Sequence, residues 1–341
     1  MRLSLLSGLL VAALQPAAVA AQASGTILDG PFPADLHGSN FTYPWPPRVF
    51  RFSSQLQELD MAFLDVPPCG APNGKTAVLL HGKNFCAPTW NGTIRALSAR
   101  GYRVVAPDQV GFCKSSKPAA YQFSLHQLAM NTRALLQALG VETFTLIGHS
   151  VGAMLSTRFA LLYPEAVEEL VLMCPVGLED YIQKGVPYIS IEASRATEAA
   201  STYASIRGYQ QAVYYVNEWR PAYDVWVNML VNIYYGSARE AFTKNQAQVV
   251  DMVLTGPVAP YFKDLKPRTL LVVGEKDRTA IGAAWAPPQV AATLGHFDVL
   301  GPQVASQLAN GTLISYPDLG HTPQISHPDI FHSDLLGWLS A

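Results

Sequence analysis

From residue 76 onward, short apolar runs alternate with stretches of helical periodicity. Residues 76–80, 102–106, 143–147, 170–173, 269–273 and 312–316 are mostly β-branched or aliphatic, with no polar residue at every second position. A strand with one solvated face alternates apolar with polar, so these runs predict strands buried on both faces. Between them, 89–100, 124–140 and 151–163 carry apolar residues at helical spacing. The order strand, helix, strand, helix predicts an α/β chain with a mainly parallel sheet and helices on both faces. Val49-Phe50-Arg51-Phe52 and the run 61–66 predict two further antiparallel strands at one edge, giving eight in all.

The alternation stops after Pro175. Residues 176–262 hold no strand-like run, while Tyr203, Tyr209, Tyr214, Tyr215, Trp219, Tyr223, Trp226, Tyr234 and Tyr235 crowd into one stretch. Part of this set packs any helical core. A helical insertion at that place would also form a lid, because Tyr and Trp offer large apolar faces with a polar tip. The expected organisation is a core of 24–175 and 263–341 interrupted by a helical lid over 176–262.

The N-terminus reads differently. Arg2, an apolar run over 3–14, Pro16 and the small-residue exits Ala18-Val19-Ala20 and Ala21-Gln22-Ala23 have the layout of a secretory signal peptide, cleaved after Ala20 or Ala23. A retained anchor is the alternative, but the run is shorter than the ~20 residues a spanning helix needs, and no later segment is long and apolar enough. Asn40-Phe41-Thr42, Asn91-Gly92-Thr93 and Asn310-Gly311-Thr312 are N-glycosylation sequons that fit a secreted, extracellular product. Cys69, Cys86, Cys113 and Cys174 form no Cys-x-x-Cys pair, so they suggest neither a zinc centre nor a thioredoxin-like site. One bridge and buried free thiols both suit them.

Composition narrows the partners. The chain is 49% hydrophobic and only 14% charged, against roughly 25% in ordinary soluble proteins. Its 23 basic and 25 acidic residues leave no surplus for a phosphate backbone, so nucleic acid is not expected as a partner. No Gly-x-Gly-x-x-Gly follows a strand, and no His-x-x-x-His or carboxylate–histidine cluster stands out, so neither a dinucleotide cofactor nor a metal is implied. Gly70-Ala71-Pro72-Asn73-Gly74-Lys75-Thr76 resembles a phosphate loop only superficially: Cys69 stands where the first glycine belongs, and the segment precedes a strand.

Gly148-His149-Ser150-Val151-Gly152 directly follows one strand-like run and directly precedes a helical one. A strand-to-helix turn that tight needs glycine two residues either side of the serine, and it holds the serine Oγ clear of the sheet. A serine hydroxyl is a weak nucleophile unless an imidazole takes its proton and a carboxylate fixes that imidazole's tautomer. Downstream, the run 269–273 leads into Gly274-Glu275-Lys276-Asp277, and 312–316 leads into Pro317-Asp318-Leu319-Gly320-His321. Of eight histidines, His321 alone follows a strand in this way outside the two motif neighbours His81 and His149. Ser150 is therefore the expected nucleophile, His321 the base and Asp277 the acid, with Glu179, Asp180 and Asp318 as rivals of Asp277.

With these residues in hand, the chain resembles the cap-bearing branch of the α/β-hydrolase superfamily over about residues 48–341. The resemblance rests on His81-Gly82-Lys83-Asn84-Phe85, Pro107-Asp108-Gln109-Val110-Gly111 with Ser115, the turn at Ser150, 274–277 and Gly320-His321. It implies an oxyanion hole formed by the backbone N–H groups of Lys83 and Val151, with Asn84 in place of Lys83 if the loop turns one residue later. Epoxide hydrolases and dehalogenases of this superfamily attack with an aspartate where this chain has Ser150, so acyl chemistry is favoured. Cys86 and Cys113 stand in loops leaving neighbouring strands at one edge, where a bridge between them is a hypothesis.

The expected activity is cofactor-free hydrolysis of an ester or related acyl bond in a small, uncharged, apolar or aromatic molecule. Acyl transfer, carbon–carbon bond hydrolysis and peptide cleavage would use the same triad, and a catalytically silent ligand-binding protein would keep the fold.

Overall fold

The computed structural model of the chain describes residues 25–341. The signal peptide expected over residues 1–20, or to 23, lies outside the described residues. Nine strands form one sheet: β1 (Gly25–Leu28), β2 (Arg48–Ser54), β3 (Gln57–Val66), β4 (Thr76–Leu80), β5 (Arg103–Pro107), β6 (Phe144–His149), β7 (Val167–Met173), β8 (Arg268–Gly274) and β9 (Gly311–Tyr316). Their order is β1-β2-β3-β5-β4-β6-β7-β8-β9. The pairs from β5 through β9 are parallel, and β1, β2 and β3 add antiparallel ladders at one edge.

Eight strands were expected, and the ninth is β1. It pairs with β2 through Ile27 opposite Phe50 and is only four residues long. A four-residue edge strand that is exposed or half-buried throughout leaves no periodic signal to read.

The missing alternation in the inner strands has a direct cause. In β4, Val78 and Leu80 enter one core cluster with Phe144, Phe159 and Leu135, whereas Ala77 and Leu79 enter the opposite one with Trp90, Ile94 and Phe331. Helices α2 (Leu125–Ala138) and α3 (Val151–Leu162) cover the first face, and α1 (Asn91–Ala99) and α11 (Pro328–Ser340) the second. Both sides of the strand leave water, so every position must be apolar.

Between β7 and β8 the chain is helical, with α4 (Ile191–Ala199), α5 (Tyr203–Tyr209), a π-helical turn (Gln210–Tyr214), α6 (Asp224–Tyr234) and α7 (Arg239–Thr255). Ser190 caps α4, and Thr202 forms a capping box with Ser205 on α5. The short helices α8 (Pro288–Ala291) and α10 (Pro323–Ser326) and the longer α9 (Phe297–Ala305) complete the core. Among the described residues, no helix is long and apolar enough to cross a membrane. Of the sequon asparagines, Asn40 and Asn310 are exposed; Asn91 is half-buried at the start of α1, where its side chain accepts from Arg95 Nε at 2.9 Å.

The loops leaving β4 and β5 are clamped together. Cys86 and Cys113 form a disulfide, with Cα atoms 5.8 Å apart, while Cys69 and Cys174 are free. Beside it, fully buried Asp108 accepts from the Ala87 and Lys114 backbone N–H groups and from the Tyr43 hydroxyl. Burial and the Asp108 carboxylate push the Tyr43 phenol well above its usual pKa, so it stays a donor. Lys114 Nζ in turn donates to the carbonyls of Ala34 and Ser39, which fastens the N-terminal segment over this clamp.

Loop-closure entropy for the 27-residue separation of the bridge corresponds to about 3.5 kcal/mol of stability. A double Cys86→Ala, Cys113→Ala variant is expected to lose that much in urea unfolding, and a midpoint equal to the parent's would overturn the clamp's importance.

Candidate active site

The sheet order reverses at β4, which has β5 on one side and β6 on the other. The connection leaving β4 runs through α1 on one face, whereas those leaving β5 and β6 run through α2 and α3 on the other, opening a crevice at the carboxyl ends of the strands. The residues singled out in the sequence gather along that edge: Gly82–Phe85 after β4, Ser150 after β6, Asp277 after β8 and His321 after β9.

Ser150 sits between β6 and α3 with φ +58° and ψ −124°, a backbone conformation rare outside glycine. Its N–H donates to the Met173 carbonyl at 3.1 Å, and its carbonyl accepts from Ala153 and Val176. The turn closes because its flanks have no side chains. A Cβ at Gly148 would lie 2.3 Å from Ser156 Oγ and 2.4 Å from the Gly152 carbonyl oxygen; one at Gly152 would lie 2.2 Å from the Leu80 carbonyl oxygen. Holding a non-glycine residue in such a conformation costs about 1–3 kcal/mol, supplied by the packing around it.

His321 and Asp277 are buried together, with Nδ1 to Oδ2 at 2.6 Å. The other Asp277 oxygen accepts from the Thr279 N–H at 2.8 Å. Because the carboxylate occupies Nδ1, the free nitrogen is Nε2, and it has no hydrogen-bond partner among the described residues. Ser150 Oγ and His321 Nε2 are not hydrogen-bonded to each other in this structure. The rivals stand elsewhere: Glu179 is buried against the Gly295 N–H, Asp180 accepts from the Gln183 N–H, and Asp318 is exposed.

His149 packs against His321, with the two rings 4.8 Å apart, and its Nε2 meets the His321 carbonyl at 2.8 Å. A carbonyl only accepts, so His149 carries its proton on Nε2. Burial, followed by the neighbouring His321, pushes its pKa well below the usual imidazole value, so it stays neutral.

The loop after β4 lies against Ser150. A Cβ on Gly82 would come within 2.7 Å of Ser150 Cβ and 3.2 Å of its Oγ. His81 shapes this loop: its Nδ1 donates to the Gly82 carbonyl, and its Nε2 accepts from the Gln109 N–H. Burial lowers its pKa, which keeps that tautomer neutral. Phe85 N–H closes back onto Gly82 O at 3.2 Å. Val151 opens α3, so its N–H has no intrahelical acceptor, and the N–H groups of Val151, Lys83 and Asn84 donate to no backbone carbonyl among the described residues. Both candidate amides of the loop thus remain available.

Two residues from the helical insertion enter the site without any motif to announce them. Tyr214, in the π-helical turn, stacks between His321 (5.2 Å between ring centroids) and Phe85 (5.3 Å), and its oxygen accepts from Asn84 Nδ2 at 2.9 Å. Burial raises its pKa well above the phenol value, so it remains neutral. Glu198, on α4, meets Lys83 Nζ at 2.7 Å. The aromatic crowding flagged the segment around Tyr214; nothing in the sequence paired Glu198 with Lys83. Among the described residues, the one Cys/His/Asp/Glu group compact enough for a metal is Cys86, Asp108 and Cys113, and its two sulfurs are bonded to each other.

A family model for the alpha/beta hydrolase fold matches residues 76–328. A solved structure of a probable hydrolytic enzyme from Pseudomonas aeruginosa PAO1 is 51% identical, with a TM-score of 0.86, covering 87% of this chain and 95% of that one. A 2-hydroxy-6-oxo-6-phenylhexa-2,4-dienoate hydrolase from Burkholderia cepacia is 27% identical over 285 residues, covering 79% of this chain and 89% of the relative. An uncharacterized protein of Mycobacterium tuberculosis is 36% identical over 108 residues, which are 32% of this chain, so the match spans only 31% of that relative's length.

The steric account of the turn is testable at Gly152. Gly152→Ala is expected to destabilise the protein by about 3 kcal/mol or more, read as a fall in the urea midpoint. Ala153→Gly, one residue later, should cost only about 1 kcal/mol of helix propensity. A parent-like midpoint for Gly152→Ala would overturn the account.

Proposed function

The chain belongs to the alpha/beta hydrolase fold family and is a hydrolase of that fold; from that premise we propose that it is a serine hydrolase cleaving an ester or related acyl bond. The observation that carries this reading is Ser150, held at positive φ at the end of β6 on the same sheet edge as a buried His321–Asp277 pair. In this mechanism His321 Nε2 takes the Ser150 proton as Oγ attacks the carbonyl, and Asp277 holds the other ring nitrogen and steadies the imidazolium. The tetrahedral oxyanion receives the N–H groups of Lys83 and Val151, an arrangement that contributes several kcal/mol of transition-state stabilisation. His321 then protonates the leaving alcohol, and a water molecule repeats the sequence on the acyl-enzyme to release the acid.

The substrate we propose is small, uncharged and apolar or aromatic. Phe85 and Tyr214 supply apolar faces beside the base, and the ammonium carried by the oxyanion loop itself, Lys83, is already neutralised by Glu198. A second reading, carbon–carbon bond hydrolysis, is favoured by the relative named for a phenyl-substituted dienoate. Such a substrate brings a carboxylate, for which Lys83 would first have to leave Glu198. Export belongs to the same proposal, with glycans on Asn40, Asn91 and Asn310; mass mapping of the protein made in a eukaryotic host tests it, and unmodified peptides at all three asparagines would count against it.

The decisive measurement is labelling with a fluorophosphonate, followed by an ester panel run beside a phenyl-substituted oxo-dienoate. Labelling localised to Ser150 and lost in Ser150→Ala and His321→Ala is expected, with kcat falling about 10⁴-fold or more in each variant. Absence of labelling in folded parent would overturn the serine-hydrolase reading. Turnover of the dienoate but no ester would replace the first reading by the second.

A further inference from the structure

We propose that Glu198 is a positioning residue for the oxyanion-stabilising loop, acting from the helical insertion through the side chain of Lys83. The inference rests on the serine-hydrolase reading above and concerns what holds that site in its working geometry.

The loop between β4 and the Cys86 bridge is fixed at both ends. His81 holds the Gly82 carbonyl, and the disulfide holds residue 86. Its middle, Lys83 and Asn84, has no backbone ladder, and both residues are instead tethered by their side chains to the insertion. Lys83 Nζ reaches Glu198 Oε1 at 2.7 Å, and Asn84 Nδ2 reaches the Tyr214 oxygen at 2.9 Å. The Lys83 and Glu198 side chains are 13% and 12% exposed, so the pair is shielded from water and salt far better than a surface pair.

Glu198 is itself held firmly. Its Oε2 accepts from the Tyr234 hydroxyl at 2.5 Å, and Tyr234 packs edge-on against Phe242. Arg239, at the start of α7, donates to the Ala199 carbonyl at the end of α4. The carboxylate is thus carried by α4 and held by Tyr234 of α6, with α7 bracing both the Tyr234 ring and the end of α4, and it grips the side chain whose backbone N–H would face the developing oxyanion. A largely buried ion pair contributes little net stability compared with apolar residues of the same volume, whereas it fixes direction well. The geometry couples the insertion to the oxyanion hole: when α4 moves away, the Lys83 amide loses its anchor.

The test compares the parent with Glu198→Gln, Glu198→Ala and Lys83→Met, the last retaining the backbone N–H while removing the tether. Each variant is assayed for kcat, KM and binding of two inhibitors of one shape: an aryl trifluoromethyl ketone, which adds Ser150 and forms an oxyanion, and the corresponding secondary alcohol, which cannot. Expected are a fall in kcat of about ten-fold, smaller than loss of an oxyanion donor outright, with KM within about two-fold. Ketone affinity should fall by the same factor and alcohol affinity should not change. Glu198→Gln is isosteric and carries the test if Glu198→Ala does not fold. Parent-like kcat and ketone affinity in folded Glu198→Gln and Lys83→Met would overturn the proposal, as would equal weakening of ketone and alcohol, which marks a purely structural role. Fluorophosphonate labelling of the parent keeps the two readings apart: an unlabelled parent sinks the serine-hydrolase reading, while a labelled parent with indifferent variants sinks only this one.

Discussion

One close approach governs the rest: the first turn of α3 lies so near the end of β4 that a methyl group on Gly152 would reach 2.2 Å from the Leu80 carbonyl oxygen. That approach forces the chain to turn within one residue, and Ser150 absorbs the turn with its left-handed backbone. The same contact sets Ser150 beside the loop after β4, because Gly82 also lacks the Cβ that would strike it. Remove either glycine and the serine, the loop after β4 and the helix N-terminus lose their common origin. Strands running parallel to β4 farther along the sheet complete the placement, since the carboxyl ends of β8 and β9 carry Asp277 and His321 to the same edge.

Such local constraints are what a sequence displays well. The glycines flanking Ser150 are required by atoms within the same turn and by one neighbouring strand, so five consecutive residues spell out the geometry. Asp277 and His321 were legible for a related reason: each follows a short apolar run that forms a parallel strand, and parallel strands end on one edge. Strand β9 nonetheless lies at the rim of the sheet and is exposed or half-buried up to Ser315, not buried on both faces as its run suggested. The acid rivals fell away only in three dimensions, where Glu179 turned toward Gly295. Lys83 and Val151 as oxyanion donors came from family resemblance, and the structure adds only that their amides are unengaged by backbone carbonyls.

Other contributors were hidden because their signals are distributed. Glu198 and Lys83 are separated by 115 residues, and Tyr214 and Asn84 by 130, with no spacing rule that links them. A glutamate near a helix end ordinarily reads as a solvated face, and one tyrosine among many reads as packing. Strand β1 escaped because four half-exposed residues at a sheet edge carry no periodicity. The Cys86–Cys113 bridge stood between these cases: the two loops were placed on one edge by the strand pattern, while the pairing itself depended on how Asp108 draws those loops together.

The electrostatics point the same way as the backbone. Buried ionisable groups around the site are either neutral or matched: His149 and His81 are held uncharged with defined tautomers, Tyr214 stays a phenol, Lys83 meets Glu198, and Asp277 meets His321. Against that background lie the positive φ at Ser150 and the buried Nε2 of His321, which meets no protein acceptor or donor among the described residues. The first costs about 1–3 kcal/mol, a large share of the roughly 5–15 kcal/mol by which a folded domain exceeds its unfolded chain. Neither is needed to pack the core, since a glycine at 150 would relieve the first and an apolar side chain at 321 the second. Local rules in a folded chain are broken chiefly where function requires it. A strained hydroxyl-bearing residue and an open imidazole nitrogen on one sheet edge are what the proposed serine hydrolysis would use, and neither is explained by packing.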